Sequence, residues 1–235
     1  MMEHLPALIV AIPLFGAFLT PLVGRLGRDV RNAFVVLIMI LSSIVGVFLI
    51  EKVYADGIQK YTFGANVPSL THPSTISIPV RIIFEIDGLS VFMVMITLLL
   101  TFLAVIYSIA FFREEHGIER FYTLLLLLLV GMLGMELTGD MFNFFVFLEI
   151  ASISASALIA FSTDRGESLE AGMKYLAISS IGALFFLFAL ALLYGQYDAL
   201  NMAMLASSIT GSTVDMIALV LVVSALAMKA GIAPM

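Results

Sequence analysis

Apolar and polar residues alternate along this chain in long blocks. Seven apolar runs are long enough to cross a bilayer as helices, at roughly 6–23, 33–50, 89–112, 121–137, 141–161, 175–194 and 214 onward. Pro13 and Pro21 fall inside the first run, where neighbouring helices in a membrane tolerate the lost backbone bonds. Between the second and third runs lies a polar stretch, Glu51 to Asp87, with Pro68, Pro73 and Pro79. It predicts an extended or hairpin-like surface loop. Residues 199–208 predict a short helix lying at the interface. Gly231 and Pro234 follow the last run closely. A proline removes a helix bond and clashes one turn back, so the seventh helix is predicted to break beside Lys229. The fold class is therefore an all-α integral membrane bundle of about seven transmembrane helices, the last discontinuous, in a single membrane domain over 1–235.

Composition agrees and narrows the chemistry. The chain is 62% hydrophobic and 12% charged, against about 45–50% and about 25% for soluble domains. Alternating ten-residue strand patterns are absent, which argues against an outer-membrane barrel. There are no cysteines, so disulfides, thiolate metal sites and thioether haem are excluded. His4, His72 and His116 are too scattered to share a metal. No cofactor, phosphate-loop or nucleophile-triad motif occurs, and catalysis on an organic substrate has no support. The net charge of −6 forms no basic patch, which excludes nucleic acid as a partner. The N-terminus lacks the basic flank and cleavage site of a removable signal, so the first run is expected to be retained.

Lys and Arg in the loops set an expected orientation. Arg25, Arg28, Arg31, Arg113, Arg120, Arg165 and Lys174 follow runs one, three and five. Lys52, Lys60 and Arg81 share one long loop on the other side. This predicts an extracytoplasmic N-terminus and cytoplasmic loops after runs one, three and five.

Two ionisable residues interrupt the apolar runs. Glu149 stands eight residues after Met141, or ~12 Å into the membrane at ~1.5 Å per residue. Lys229 lies ~20 Å along the last run by the same rise. A charge at such depth costs several kcal/mol unless it is paired or hydrated, which makes each a functional-site candidate. A buried acid and a buried amine can exchange a proton through water, and their attraction decides which is charged. Ser152 and Ser156 share a helical face with Glu149 and fit either a short water chain or close helix packing. Lys174 fits either a membrane-edge anchor or a long stem reaching toward Glu149. Thr138-Gly139-Asp140 predicts a tight turn, with Asp140 capping the following helix. Glu136 and Asp87 read as interfacial or capping acids, and Glu136 and Asp140 are secondary candidates for ion movement.

These residues fall in motifs that resemble a known family. Phe121-Tyr-Thr-Leu-Leu, Gly131-Met-Leu-Gly and Leu137-Thr-Gly-Asp-Met-Phe-Asn-Phe-Phe-Val-Phe-Leu-Glu149-Ile resemble the antiporter-like membrane subunits. These occur in respiratory complex I, Mrp-type cation/proton antiporters and archaeal membrane-bound hydrogenase and sulfane-reductase complexes. Ile86-Asp-Gly-Leu-Ser90, Ser168-Leu-Glu-Ala-Gly-Met-Lys-Tyr-Leu and Ala227-Met-Lys229-Ala-Gly-Ile-Ala-Pro234 extend the resemblance over essentially the whole chain.

The resemblance implies an ion-translocating half channel. The family's fifth-helix glutamate falls on Glu149 and its seventh-helix lysine on Lys229, the two forming a switchable pair. Residues 1–112 would hold helices one to three, and 113–235 helices four to seven, the start of a five-helix ion-translocation repeat. The family continues past this point with an eighth helix and a second repeat. The chain is then expected to be half of a split subunit completed by another chain, a shortened relative, or a piece of a longer sequence. The expected function is proton or proton/sodium translocation within a multi-subunit respiratory or hydrogenase complex in the cell membrane, with redox centres on other chains. Alternatives are a subunit of an Mrp-type Na⁺/H⁺ antiporter, a self-sufficient secondary antiporter, and a non-transporting structural subunit packed between neighbours.

Overall fold

The computed structural model describes residues 4–63, 82–112 and 117–232. Pro68, Pro73, Pro79, Arg81, His72, Arg113, His116 and Pro234 lie outside the described residues. The elements are α1 (Leu5–Gly24), α2 (Arg28–Asp56), β1 (Gln59–Thr62), β2 (Ile83–Ile86), α3 (Gly88–Phe111), α4 (Ile118–Leu137), α5 (Met141–Ile159), α6 (Gly166–Tyr197), α7 (Met202–Ser208) and α8 (Thr213–Lys229). Six of these helices, α1 to α6, are long and apolar enough to cross a membrane by length and composition. The last, α8, has 17 residues, at the short end of the range for a span.

Several boundaries differ from expectation for identifiable reasons. Helix α6 begins at Gly166, well before the apolar run at Tyr175, because Glu170 and Lys174 are good helix formers and pair at i,i+4. The polar stretch after α2 is hairpin-like in its described parts: β1 and β2 pair antiparallel, with Gln59 opposite Ile86. Both prolines of α1 lie within one continuous helix. Among the described residues, α8 ends at Lys229 and Gly231 makes the turn that follows. Gly231 takes φ +68°, its N–H bonds to the Met228 carbonyl at 3.1 Å, and that of Ile232 to the Ala227 carbonyl at 3.0 Å. This is the Schellman arrangement, which needs a residue without Cβ strain at the left-handed position.

Helix α4 is the hub, packing against α1, α3 and α5, while α6 packs against α5 and α8. The largest apolar cluster lies among α1 to α4 and β2, including Ile9, Met39, Phe84, Leu98, Tyr122 and Leu133. Smaller clusters join α5, α6 and α8 through Phe186, Leu190 and Ala225, and through Ala189, Leu193, Leu205 and Ala218. Many large apolar side chains face outward, Phe15, Phe92 and Leu184 among them, as lipid or neighbouring helices require.

Two features position α5. First, α4 approaches it closely at two glycines. A Cβ on Gly131 would stand 2.7 Å from the Ala151 backbone nitrogen, and one on Gly134 2.1 Å from the Phe147 ring. Second, the turn before α5 is stitched on both sides. The Gly139 N–H donates to the Ile83 carbonyl at 2.9 Å, Met141 N–H to Leu200 O at 2.9 Å, and Met202 N–H to Gly139 O at 2.9 Å. Asp140 Oδ1 accepts from Asn143 N–H at 2.9 Å and caps α5. Burial pushes its carboxyl above the ordinary value, against the backbone N–H bonds from Asn143 and Phe142.

Asp87 caps α3 in the same way, accepting from Ser90 N–H at 2.8 Å. That bond holds its carboxyl below the ordinary range against partial desolvation. The sign follows: a carboxyl whose folded value is depressed stabilises above its unfolded pKa, and the contribution is lost as pH falls through the folded value. Asp87→Ala is expected to cost about 0.5–2 kcal/mol at neutral pH. Its deficit relative to the parent should shrink on acidification, checked by melting curves across pH.

Candidate functional site

The site forms where α5, α6 and α8 meet. Lys229 is the last residue of α8, and its stem leans toward the helix N-terminus, as helical side chains do. Its Nζ donates to Glu149 Oε1 at 2.9 Å, Ser152 Oγ at 2.6 Å and Ser179 Oγ at 2.7 Å. An ammonium has three donors and no acceptor, so every proton on Lys229 is placed. The lysine side chain is 8% exposed and that of Glu149 27%. Glu149 stands on α5, one turn before Ser152, so the acid and one hydroxyl reach the amine from the same face.

The serines are themselves satisfied. Ser152 Oγ donates to the Leu148 carbonyl at 2.7 Å while accepting from the lysine. Ser179 shares a face of α6 with Gly182, where a Cβ would stand 3.4 Å from the Ala225 carbonyl of α8. The small residue brings the two helices close enough for the serine to reach the lysine. The arrangement can hold one positive and one negative charge out of water, and a proton passing from the amine to the carboxylate neutralises both.

The residues singled out from sequence distribute unevenly. Glu149, Lys229 and Ser152 come together. Ser156 does not join them: its Oγ donates to Ile153 O at 2.8 Å. Its carbonyl lies where α6 passes nearest, 3.0 Å from a Cβ built on Gly172. Lys174 does not reach Glu149. Its Nζ pairs with Glu170 at 2.5 Å, and the two side chains are 70% and 64% exposed. Standing immediately before the apolar run, Lys174 keeps its stem at the edge of the bundle. Asp140 is occupied as a cap. Glu136, in the last turn of α4, faces α3, where Thr97 Oγ1 donates to its Oε1 at 2.5 Å. Ser179 was not anticipated. The signal available was a hydroxyl one turn from a glycine inside an apolar run, the pattern of a close helix contact.

The comparisons with known proteins agree with the fold. Residues 138–235 match the family described as NADH:quinone oxidoreductase/Mrp antiporter, TM, and residues 74–122 match the NADH-ubiquinone oxidoreductase (complex I) chain 5 N-terminus. NADH-quinone oxidoreductase subunit N of Desulforudis audaxviator is 33% identical over all of this chain and 46% of its own length. A chain of the membrane-bound sulfane sulfur reductase, an archaeal respiratory membrane complex, superposes with a TM-score of 0.81 at 34% identity, over 95% of this chain and 44% of that one. A chain of the Mrp complex from Dietzia sp. DQ12-45-1b gives 0.74 at 25% identity, over 96% and 40%. The chain thus spans a little under half the length of these relatives. It is a multi-pass membrane protein, and it belongs to the antiporter-like membrane subunit family.

Proposed function

We propose that this chain carries the first half of an ion-translocating module, moving protons or exchanging protons for sodium, with Glu149 and Lys229 as a switchable pair. The observation that carries the reading is the amine held by one carboxylate and two hydroxyls between three apolar helices. Paired, the acid and amine offset each other's desolvation cost. When a nearby charge draws the lysine away, Glu149 is left anionic in an apolar setting and takes up a proton. When the lysine returns, the proton is released. Ser152 and Ser179 hold the ammonium in the paired state.

The module works within a multi-subunit membrane complex of the cell membrane, with other membrane subunits as partners. Relatives that belong to a respiratory membrane complex and to an Mrp complex support this reading. The end bearing Arg25, Arg28, Arg31 and Arg165 is the cytoplasmic one, on the loop-charge rule. The N-terminus is accordingly extracytoplasmic.

The test is Glu149→Gln in the assembled complex. The amide keeps an oxygen for Lys229 and removes the charge. Assembly is expected to persist while coupled ion movement into membrane vesicles is lost. Coupled movement at the parent rate in an assembled variant would overturn the reading.

A further inference from the structure

A second, half-buried carboxyl lies on a different seam. Glu136 stands on α4 about 140° around the helix from Gly131 and about 160° from Gly134. Those two glycines face α5. Glu136 therefore points away from the Glu149 side of the bundle and into the contact with α3. There its Oε1 accepts from Thr97 Oγ1 at 2.5 Å, with Thr97 itself 9% exposed. Its other oxygen, Oε2, is buried and has no hydrogen-bond partner among the described residues.

That combination constrains the state of the acid. An ionised carboxylate has two oxygens sharing the charge, and burying one of them without a partner is costly. A neutral carboxylic acid spends one oxygen on its own proton and leaves a far weaker demand on the other. A bound metal cation would satisfy a charged Oε2, but a cation needs a shell of oxygens. Among the described residues Thr97 is the hydrogen-bond partner of the carboxyl, and no group of three or more His, Cys, Asp or Glu side chains gathers to hold a metal ion.

Several other ionisable groups at this end of the bundle have partners of their own. Glu85 of β2 pairs with Lys60 of β1 at 3.1 Å. Asp87 and Asp140 cap α3 and α5. His4, before α1, bonds to the Tyr61 hydroxyl at 3.0 Å. The ion pairs found among the described residues do not include Glu136.

We propose that Glu136 is a proton-binding site of the α3–α4 seam, resting as a neutral acid against Thr97 and separate from the Glu149–Lys229 pair. Loss of the proton places an unsolvated charge between α3 and α4, so occupancy of the site governs how firmly those helices hold together. The proposal does not depend on ion transport by Glu149 and Lys229.

Two measurements on the protein in lipid nanodiscs, within whatever complex it assembles into, test it. The first is the infrared difference between the parent and Glu136→Gln at neutral pH. The parent should show the carbonyl stretch of a neutral carboxylic acid, and the variant should lack it. Thr97→Val should keep that band and shift it, since one hydrogen bond is gone. The second is thermal stability against pH. Glutamine mimics the neutral acid, so the two proteins should melt together at acid pH. The parent should fall behind by about 2–4 °C on raising the pH to about 9. A parent without the neutral-acid band, or a band unmoved by Thr97→Val, would overturn the proposal. So would a Glu136→Gln variant less stable than the parent at every pH, with sodium raising only the parent's melting point, since that is the behaviour of a cation-bound carboxylate.

Discussion

Lys229→Met is expected to cost about 3–5 kcal/mol of stability, and adding Glu149→Gln to it should recover most of that loss. The reason lies in what the first substitution leaves behind. Methionine matches the lysine stem in bulk but removes the charge facing Glu149 Oε1 at 2.9 Å. An uncompensated carboxylate then remains among apolar helices, and breaking one side of a buried pair is worth about this much. Neutralising both partners removes the orphaned charge and leaves mainly lost hydrogen bonds, including those of Ser152 and Ser179. A double-mutant cycle on melting or denaturant midpoints reads the coupling directly. Strict additivity of the two substitutions would mean that the pair is not formed in the membrane. Glu149→Gln/Lys229→Met also separates stability from transport, because the proposed switch is absent in a bundle that should still assemble.

Gly131→Leu is expected to yield little folded protein. The first atom of any side chain at that position would meet the Ala151 backbone nitrogen at 2.7 Å. Backbone in the middle of α5 has nowhere to swing, so α4 and α5 must part, with an overpacking cost of about 1–3 kcal/mol or more. The cost spreads to the ion pair, because Ala151 is flanked on α5 by Glu149 and Ser152. Gly134→Ala should be milder, since a methyl group is smaller than a leucine side chain and its obstacle is the Phe147 side chain, not the α5 backbone. Size-exclusion profiles and melting curves of the two variants check the order. A Gly131→Leu protein that folds and melts like the parent would show that α4 and α5 do not approach as described.

Much of this arrangement was legible from residue order because membrane helices announce themselves by length and apolarity. The seven runs map onto α1 to α6 and α8, with the short helix α7 near its expected place. Charged residues inside those runs are rare enough that Glu149 and Lys229 stand out without any structure. Their partners did not stand out. Ser179 is one of many small polar residues in apolar runs, and most of those only ease packing. Thr97 gave no sign of meeting Glu136, because nothing in a linear sequence says which faces of α3 and α4 touch. Lys174 was ambiguous for a different reason. A lysine at the start of an apolar run can point either way, and the nearby Glu170 decides it at i,i+4. The turn after α8 is made by Gly231, a glycine close behind the last run that residue order already shows.

The two partners of the ion pair are not held alike. Glu149 rides on a helix moored at its start by backbone bonds to β2 and to the segment leading into α7, and pressed along its length by α4. Lys229 hangs from the final residue of α8, with four flexible bonds between backbone and charge. Any event that separates them therefore displaces the amine and leaves the carboxylate where it stands. In the proposed switch, proton uptake would then occur at one fixed address in the membrane, timed by the comings and goings of a single mobile cation.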